Sequence, residues 1–321
     1  MTVLVTGGAG YIGSHTVRLL AAQKRDVVVL DSLEFGDKSR VVDVPLIEGD
    51  ISDNRIIEKI CRKYDISEVI HFAAYKAVGE SMEQPLRYYN NNVTGSIALV
   101  QALLSNGVDR IVFSSSAAVY GNTDSVPVSE EAALQPESVY AETKAIVEMF
   151  LASCNTIGLR SVSLRYFNAA GASLDASIGE DWSMSQNLVP LVMKAMLGHS
   201  GSLSVFGNDY PTPDGTCIRD YVHVEDLADA HIKALDYLAT GGSTLVCNVG
   251  TGNGNSVLEV IAMAEQVSGR KIPYRIVGRR AGDPATVYAD STLIRATLGW
   301  KATHDLREII TSAWNWHNKL T

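Results

Sequence analysis

Short, wholly apolar runs alternate along the chain with longer stretches in which apolar residues recur every three or four positions. Val3 to Val5, Val27 to Leu30, Val69 to Phe72 and Ile111 to Phe113 read as strands buried on both faces of a parallel sheet. Ile12 to Gln23, Asn54 to Tyr64, Leu86 to Ser105 and Ser138 to Asn155 read as helices long enough to make right-handed crossovers between such strands. The alternation predicts an α/β fold with a doubly wound parallel sheet. The order loosens after Asn168, where Gly, Ser, Asp and Asn crowd the chain to Asn187, and Asn208 to Gly215 is a second turn-rich stretch. The expected division is therefore a first domain over 1–168 and a smaller C-terminal α/β substrate domain over 169–321, with parts of about 214–250 returning to the first.

Gly7, Gly10 and Gly13 follow the first strand and open the first helix. The first glycine permits a tight turn, the second lets backbone approach a pyrophosphate, and the third brings helix and sheet together. A glycine-rich turn alone says little, but the second strand ends in Asp31. A carboxylate there suits the hydroxyls of an adenosine ribose and repels the extra phosphate of NADP. Loop and acid together predict a Rossmann-type domain binding NAD. Gly250-Thr251-Gly252-Asn253-Gly254 lacks such an acid and reads as a turn, with Ser256 and Glu259 forming a capping box for the helix behind it.

Tyr140 and Lys144 share one helix face at i, i+4. A cation beside a phenol favours the phenolate, so the expected pKa falls from about 10 towards neutrality and yields a general base for an alcohol. Ser114, Ser115 and Ser116 end the preceding strand, at the sheet edge where open α/β proteins bind ligands, and a hydroxyl there makes a natural proton relay.

Bulk properties narrow the function. The 321 residues are 46% hydrophobic and 20% charged, with a formal net charge of −9 and no basic run, which gives no support to nucleic-acid or membrane-surface binding. No apolar stretch is long enough to span a bilayer, and the first residues do not read as a secretory signal. Cys61, Cys154, Cys217 and Cys247 are far apart, so they are expected to be reduced thiols in a cytoplasmic protein. His15, His71, His199, His223, His231, His304 and His317 show no close metal spacing and read as structural, so no metal is expected.

Taken together, Thr6 to Gly13, the three serines and Tyr140-x-x-x-Lys144 resemble the extended short-chain dehydrogenase/reductase family. His71 to Ala73, Lys76 to Ser81, Leu164 to Asn168, Gly207 to Thr212 and Arg219 to Val224 are similar to its branch of UDP-hexose 4-epimerases, and the likeness covers nearly the whole chain. The resemblance implies interconversion of UDP-glucose and UDP-galactose: Tyr140 takes the O4 proton, C4 gives hydride to NAD, the 4-keto sugar turns over, and hydride returns to the other face. NAD is then regenerated in each turnover and stays bound.

By the same resemblance Ser116 bonds O4, and Lys144 binds the nicotinamide ribose. Gly7, Gly10, Tyr11, Ile12, Gly13, Asp31, Asp50, Ile51, Phe72, Ala73, Lys76, Asn91, Tyr140, Lys144 and Tyr166 match cofactor positions. Asn168, Asn187, Leu188, Phe206, Arg219, Arg280, Asp283 and Val287 match positions holding the UDP-sugar. Arg219 and Arg280 suit a diphosphate because guanidinium forks fit phosphate oxygens. Ala117 and Ala118 stand where related dehydratases carry an acid, which favours epimerisation over loss of water. Ala118 and Ser32 depart from the threonine and asparagine common in the branch, and the 31–50 segment is short, which leaves the adenine side more open. Valine at 287 in place of a bulky tyrosine widens the sugar pocket, so UDP-GlcNAc and UDP-GalNAc are expected substrates as well. A homodimer built from first-domain helices is expected. A UDP-uronic acid 4-epimerase and a non-catalytic NAD-sensing regulator are the alternatives.

Overall fold

In β1 (Thr2–Thr6) the side chains of Val3 and Val5 enter one apolar cluster while Leu4 enters another, and in β2 (Asp26–Asp31) Val27 and Val29 part from Val28 and Leu30 in the same way. This two-residue period places a core on each face of the sheet. The computed structural model describes residues 2–123, 125–183, 185–280 and 282–320. The main sheet continues with β3 (Leu46–Glu48), β4 (Ile66–His71), β5 (Arg110–Ser114) and β6 (Arg160–Tyr166). They are followed by β7 (Asn168–Ala170), β8 (Leu203–Phe206), β9 (Ile218–Arg219), β10 (Tyr221–His223) and β11 (Leu245–Val249), and then by β12 (Asn255–Ser256), β13 (Tyr274–Val277) and β14 (Thr286–Val287).

The main sheet runs β11-β6-β5-β4-β1-β2-β3, all parallel, so the α/β doubly wound reading of the sequence holds. One face is covered by α1 (Tyr11–Ala22) through Val17 and Leu20. The other is covered by α2 (Asn54–Tyr64) through Ile57 and Ile60. Next come α3 (Val78–Glu83), α4 (Pro85–Tyr88), α5 (Gly95–Ser105) and α6 (Val139–Cys154). The helix expected over Leu86 to Ser105 is present but not regular: Tyr89–Thr94 between α4 and α5 is π-helical. A wider turn there brings Asn91 and Asn92 together, which a 3.6-residue period cannot signal.

Beyond β6 the chain adds α7 (Leu188–Met196), α8 (Val224–Ala239), α9 (Val257–Ser268), α10 (Thr292–Leu298) and α11 (Leu306–Lys319). Helix α8 returns to the first face through Leu227 and Leu235, and β11 joins the sheet beside β6. Helices α7, α9 and α11 enclose a separate core with β8 around Val192, Met193, Val205, Val260 and Ile310. Short pairings β7–β10, β8–β13 and β12–β9–β14 complete this part. The expected capping box is present, with Ser256 accepting from Glu259 N and the Glu259 carboxylate accepting from Ser256 N. Among the described residues no helix is long and apolar enough to cross a membrane.

Candidate active site

The glycine loop packs too tightly for side chains. Gly7 has φ +71°, and a Cβ there would lie 2.6 Å from Ala73 N, while one on Gly13 would lie 2.3 Å from Gly7 O. At Gly10 a Cβ would meet only Gly7 O, at 3.2 Å, so its outer face is open. No side chain caps the first turn of α1, which leaves amides at a positive helix end for a phosphate. Asp31 at the end of β2 accepts from Ala9 N and Leu33 N, both at 2.9 Å, one on each carboxylate oxygen. Each oxygen keeps a lone pair for a ribose hydroxyl. Ile51 packs under Gly95, where a Cβ would meet it at 3.0 Å, and Asp50 holds its loop through Ser52 N at 2.7 Å. Phe72 and Ala73 pass beside Gly7, with Phe72 N donating to Thr6 O at 2.9 Å. These residues fit a dinucleotide.

Tyr11, a cofactor-matched position, is buried and donates its hydroxyl to Gly171 O at 2.6 Å, tying α1 to the segment after β7. Ile12 packs into the apolar cluster on the α1 face. Asn91 donates to Asn92 at 2.9 Å, and Asn92 in turn grips the Tyr75 backbone and Thr143. Asn92 thus fixes the strand-end segment carrying Phe72, Ala73 and Lys76.

Tyr140 enters at the first turn of α6, whose N-cap Ser138 accepts from Ala141 N at 3.2 Å. Ser116 caps the short 3₁₀ turn Ala117–Tyr120. Lys144 donates to Ser114 O at 2.6 Å, with its Nζ 4.7 Å from the Phe113 ring centroid and 5.9 Å from that of Tyr140. Tyr166 accepts from Ser114 Oγ at 3.2 Å. Tyr140, Lys144, Ser116 and Tyr166 therefore gather at the carboxyl ends of β5 and β6.

One expectation is overturned in the chain alone. The Tyr140 phenol is pushed well above its usual range, first by burial and then by Tyr166, with a hydrogen bond from Ser116 pulling the other way. Lys144 does not lower it, because the ammonium is turned to the Ser114 carbonyl and is itself driven by burial from 10.5 to about 7, with Glu148 opposing. Desolvation of both groups outweighs their mutual attraction.

The Lys144 shift has a testable consequence. Between about pH 7 and pH 10.5 the unfolded chain holds the lysine proton and the folded chain does not. For this group stability rises with pH across that window. Thermal melts of the ligand-free protein at both ends are expected to show the rise, and Lys144→Met to flatten it.

Asn168 lies on β7, its N and Nδ2 both donating to Asp220 O at 2.9 and 3.0 Å. Val287 pairs with Arg219 in the β14–β9 register. Arg219 forms an ion pair with Asp283, and Arg280 lies over the Phe206 ring at 4.5 Å. Asn187 precedes Leu188 at the start of α7 and donates to Glu180 at 3.0 Å, and Lys76 reaches the same oxygen at 3.3 Å.

Three residues with no role assigned from sequence organise this region. Buried Asp220 accepts from Thr251, Gly252 and Ala289, and so fixes the glycine turn and β14 around Arg219. Buried Glu180 joins Lys76 to Asn187. Buried Glu148 holds Arg165 by two oxygens and accepts from Ser115. Glu148 is four residues from Lys144 on α6, a spacing visible in the sequence, whereas the partners of Asp220 and Glu180 are far along the chain.

His223, Glu225 and His304 come together with ligand atoms within 4.8 Å, although their sequence spacing hides it. Both His223 nitrogens are engaged, Nδ1 accepting from Glu225 N at 3.1 Å and Nε2 meeting Ser312 Oγ at 3.0 Å, so the ring acts as a helix cap. His231 lies inside α8, its ring tilted against that of Phe72 with centroids 4.5 Å apart. The four cysteines are free and buried.

With a glycine loop opening α1, an acid closing β2 and a Tyr-Lys-Ser group over β5 and β6, the chain belongs to the NAD dependent epimerase/dehydratase family, whose model it matches over residues 3–250. Within that family it is 47% identical to the UDP-glucose 4-epimerase of Lactobacillus helveticus over 320 residues, 99% of this chain and 97% of that one. The UDP-glucose-4-epimerase from Stenotrophomonas maltophila, solved with bound NAD and formylated UDP-arabinopyranose, is 44% identical with a TM-score of 0.97, covering 100% of this chain and 98% of that one. The UDP-Glc/GlcNAc 4-epimerase from Campylobacter jejuni is 36% identical with a TM-score of 0.89, covering 99% of each.

Proposed function

We propose that the chain is an NAD-dependent epimerase that interconverts UDP-glucose and UDP-galactose. The observation that carries this reading is a buried Tyr140 gathered with Lys144 and Ser116 at the ends of β5 and β6, in the same sheet whose β1 leads into the glycine loop, with only Ala117 and Ala118 after the serine. A dehydratase needs a further acid or base there.

When bound, NAD supplies a hydride acceptor and donor and, in its oxidised form, a positively charged ring. Tyr140 accepts the proton from the sugar O4, and Ser116 bonds that oxygen and steadies it while charge develops. The same phenol returns the proton after the 4-keto sugar has turned, leaving C4 inverted. Lys144 lies on the same helix face as the phenol and is placed to bond a ribose hydroxyl. Gly7, Gly10, Tyr11, Ile12, Gly13, Asp31, Asp50, Ile51, Phe72, Ala73, Lys76, Asn91 and Tyr166 line the cofactor's path. Asn168, Asn187, Leu188, Phe206, Arg219, Arg280, Asp283 and Val287 receive the UDP-sugar, with Arg219 and Arg280 toward the diphosphate. Residues 1–168 serve mainly the dinucleotide and 169–321 mainly the sugar nucleotide, with β11 and α8 returned to the first unit. The test is mass spectrometry of small molecules released from the purified protein, followed by incubation with UDP-galactose. NAD and UDP-glucose are expected, and absence of UDP-glucose from an NAD-loaded protein overturns the reading.

The same site is proposed to accept UDP-GlcNAc and UDP-GalNAc. Valine at 287 leaves room beside Arg219 for a 2-acetamido group, and one similar structure is named a UDP-Glc/GlcNAc 4-epimerase. Val287→Tyr is expected to lower kcat/KM for UDP-GalNAc about tenfold or more and to spare UDP-galactose, since filling a pocket discriminates by roughly 1–3 kcal/mol. Equal effects on both sugars count against the pocket.

A homodimer is supported by Met82, Leu86, Ile97 and Met149, exposed apolar side chains on adjacent α3, α4, α5 and α6. Sedimentation at twice the chain mass is expected, with Leu86→Glu plus Met149→Glu shifting it to the monomer. An unchanged mass in that variant places the interface elsewhere.

A further inference from the structure

We propose that Glu34, Tyr75 and Arg87 form a clasp across the adenosine end of the dinucleotide groove and set how slowly NAD leaves. The proposal rests on the NAD reading above and assigns that site a retention device. Strands β2 and β4 lie on either side of β1, and the phosphate loop follows β1. A link between the segment after β2 and the segment after β4 therefore passes over that loop. Such a link exists: Tyr75 Oη donates to Glu34 Oε2 at 2.7 Å.

Arg87 on α4 braces it from behind. Its guanidinium pairs with Glu34 on one side and Glu80 on the other, and its centre lies 4.4 Å from the Tyr75 ring centroid and 5.9 Å from that of Phe35. Phe35 meets Tyr75 edge to face at 5.7 Å. The backbone on both sides is fixed. Leu33 N and Ala9 N bind the Asp31 carboxylate, Asp37 N donates to Ala9 O at 3.0 Å, and Asn92 grips Tyr75 at both N and O.

The clasp itself is made of partly exposed side chains, 42% for Glu34 and 32% for Arg87. Exposed ion pairs are individually weak and are screened by salt. Weak side-chain links on rigid backbone make a closure that opens without disturbing the fold. They also cover the adenine side, which the short 31–50 segment was expected to leave open.

The test is exchange of bound NAD for isotopically labelled NAD, followed by rapid desalting and mass spectrometry. Tyr75→Phe removes only the hydroxyl, Arg87→Met keeps the stem without the charge, and thermal melts confirm that each is folded. Exchange in the double variant is expected to be about tenfold faster, a difference of about 1.4 kcal/mol in the release barrier. Added salt is expected to speed exchange in the natural protein and to have little effect in Arg87→Met. Folded variants that exchange at the natural rate, Tyr75→Phe included, overturn the clasp and leave the NAD reading standing. A natural protein that yields no NAD on denaturation overturns both.

Discussion

Tyr140→Phe is expected to lower kcat for UDP-galactose by about 10²–10⁴-fold, the range for loss of a positioned general acid–base group. The replacement keeps the buried ring and removes only the phenolic oxygen. No neighbour can substitute. Lys144 is committed to the Ser114 carbonyl, Tyr166 accepts from Ser114, and Ala117 and Ala118 carry no proton. NAD content is expected to be unchanged, because the glycine loop and Asp31 do not touch the lost oxygen. Initial rates at saturating UDP-galactose, normalised to bound NAD, check this, and a kcat within threefold of natural would require another base.

The kinetic effect also depends on the direction of the phenol's shift. Burial holds Tyr140 in its neutral form in the chain alone, so it is a proton donor at rest and becomes a base only when positive charge is brought close. The i, i+4 spacing of Tyr140 and Lys144 showed the sequence placing the two groups on one face, but it did not show that both would be buried and the ammonium turned to a main-chain oxygen. Burial depends on what packs over α6, and that comes from β5, β6 and α3 through α5.

The same distinction explains what else was legible. Runs such as Val27 to Leu30 are local signals of a strand covered on both faces, and the glycines at 7 and 13 are local signals of a turn that admits no Cβ there. Asp220 lies within a motif that could be quoted from the sequence, yet its work is to hold Thr251, Gly252 and Ala289, which lie 31, 32 and 69 residues further on. Asn92 is beside Asn91, the neighbour matched by resemblance, and only the π-helical turn shows which of the two grips the loop after β4. His223 and His304 stack at 4.3 Å across 81 positions that no short motif spans.

Arg165→Met is expected to be the most destabilising single change considered, at about 3–5 kcal/mol, because it leaves a buried carboxylate without its cation. Arg165 is 5% exposed and Glu148 4%, and the guanidinium meets both Glu148 oxygens, at 2.6 Å in the shortest contact. It also donates to Tyr120 at 2.9 Å, and Tyr120 to Asn248 at 2.7 Å, so the pair links α6 and β6 to the end of β11. Removing the charge strands Glu148 with only Ser115 and a lysine whose ammonium points elsewhere. A fall of about 4–7 °C in melting temperature follows from that free energy for a chain of this size. Arg165→Met with Glu148→Leu is expected to recover much of the loss, since neither charge then remains buried, although Tyr120 and Ser115 each lose a partner. If the single variant melts within about 2 °C of the natural protein, or the double variant is no better than the single, the buried charge is not what holds α6 against β6.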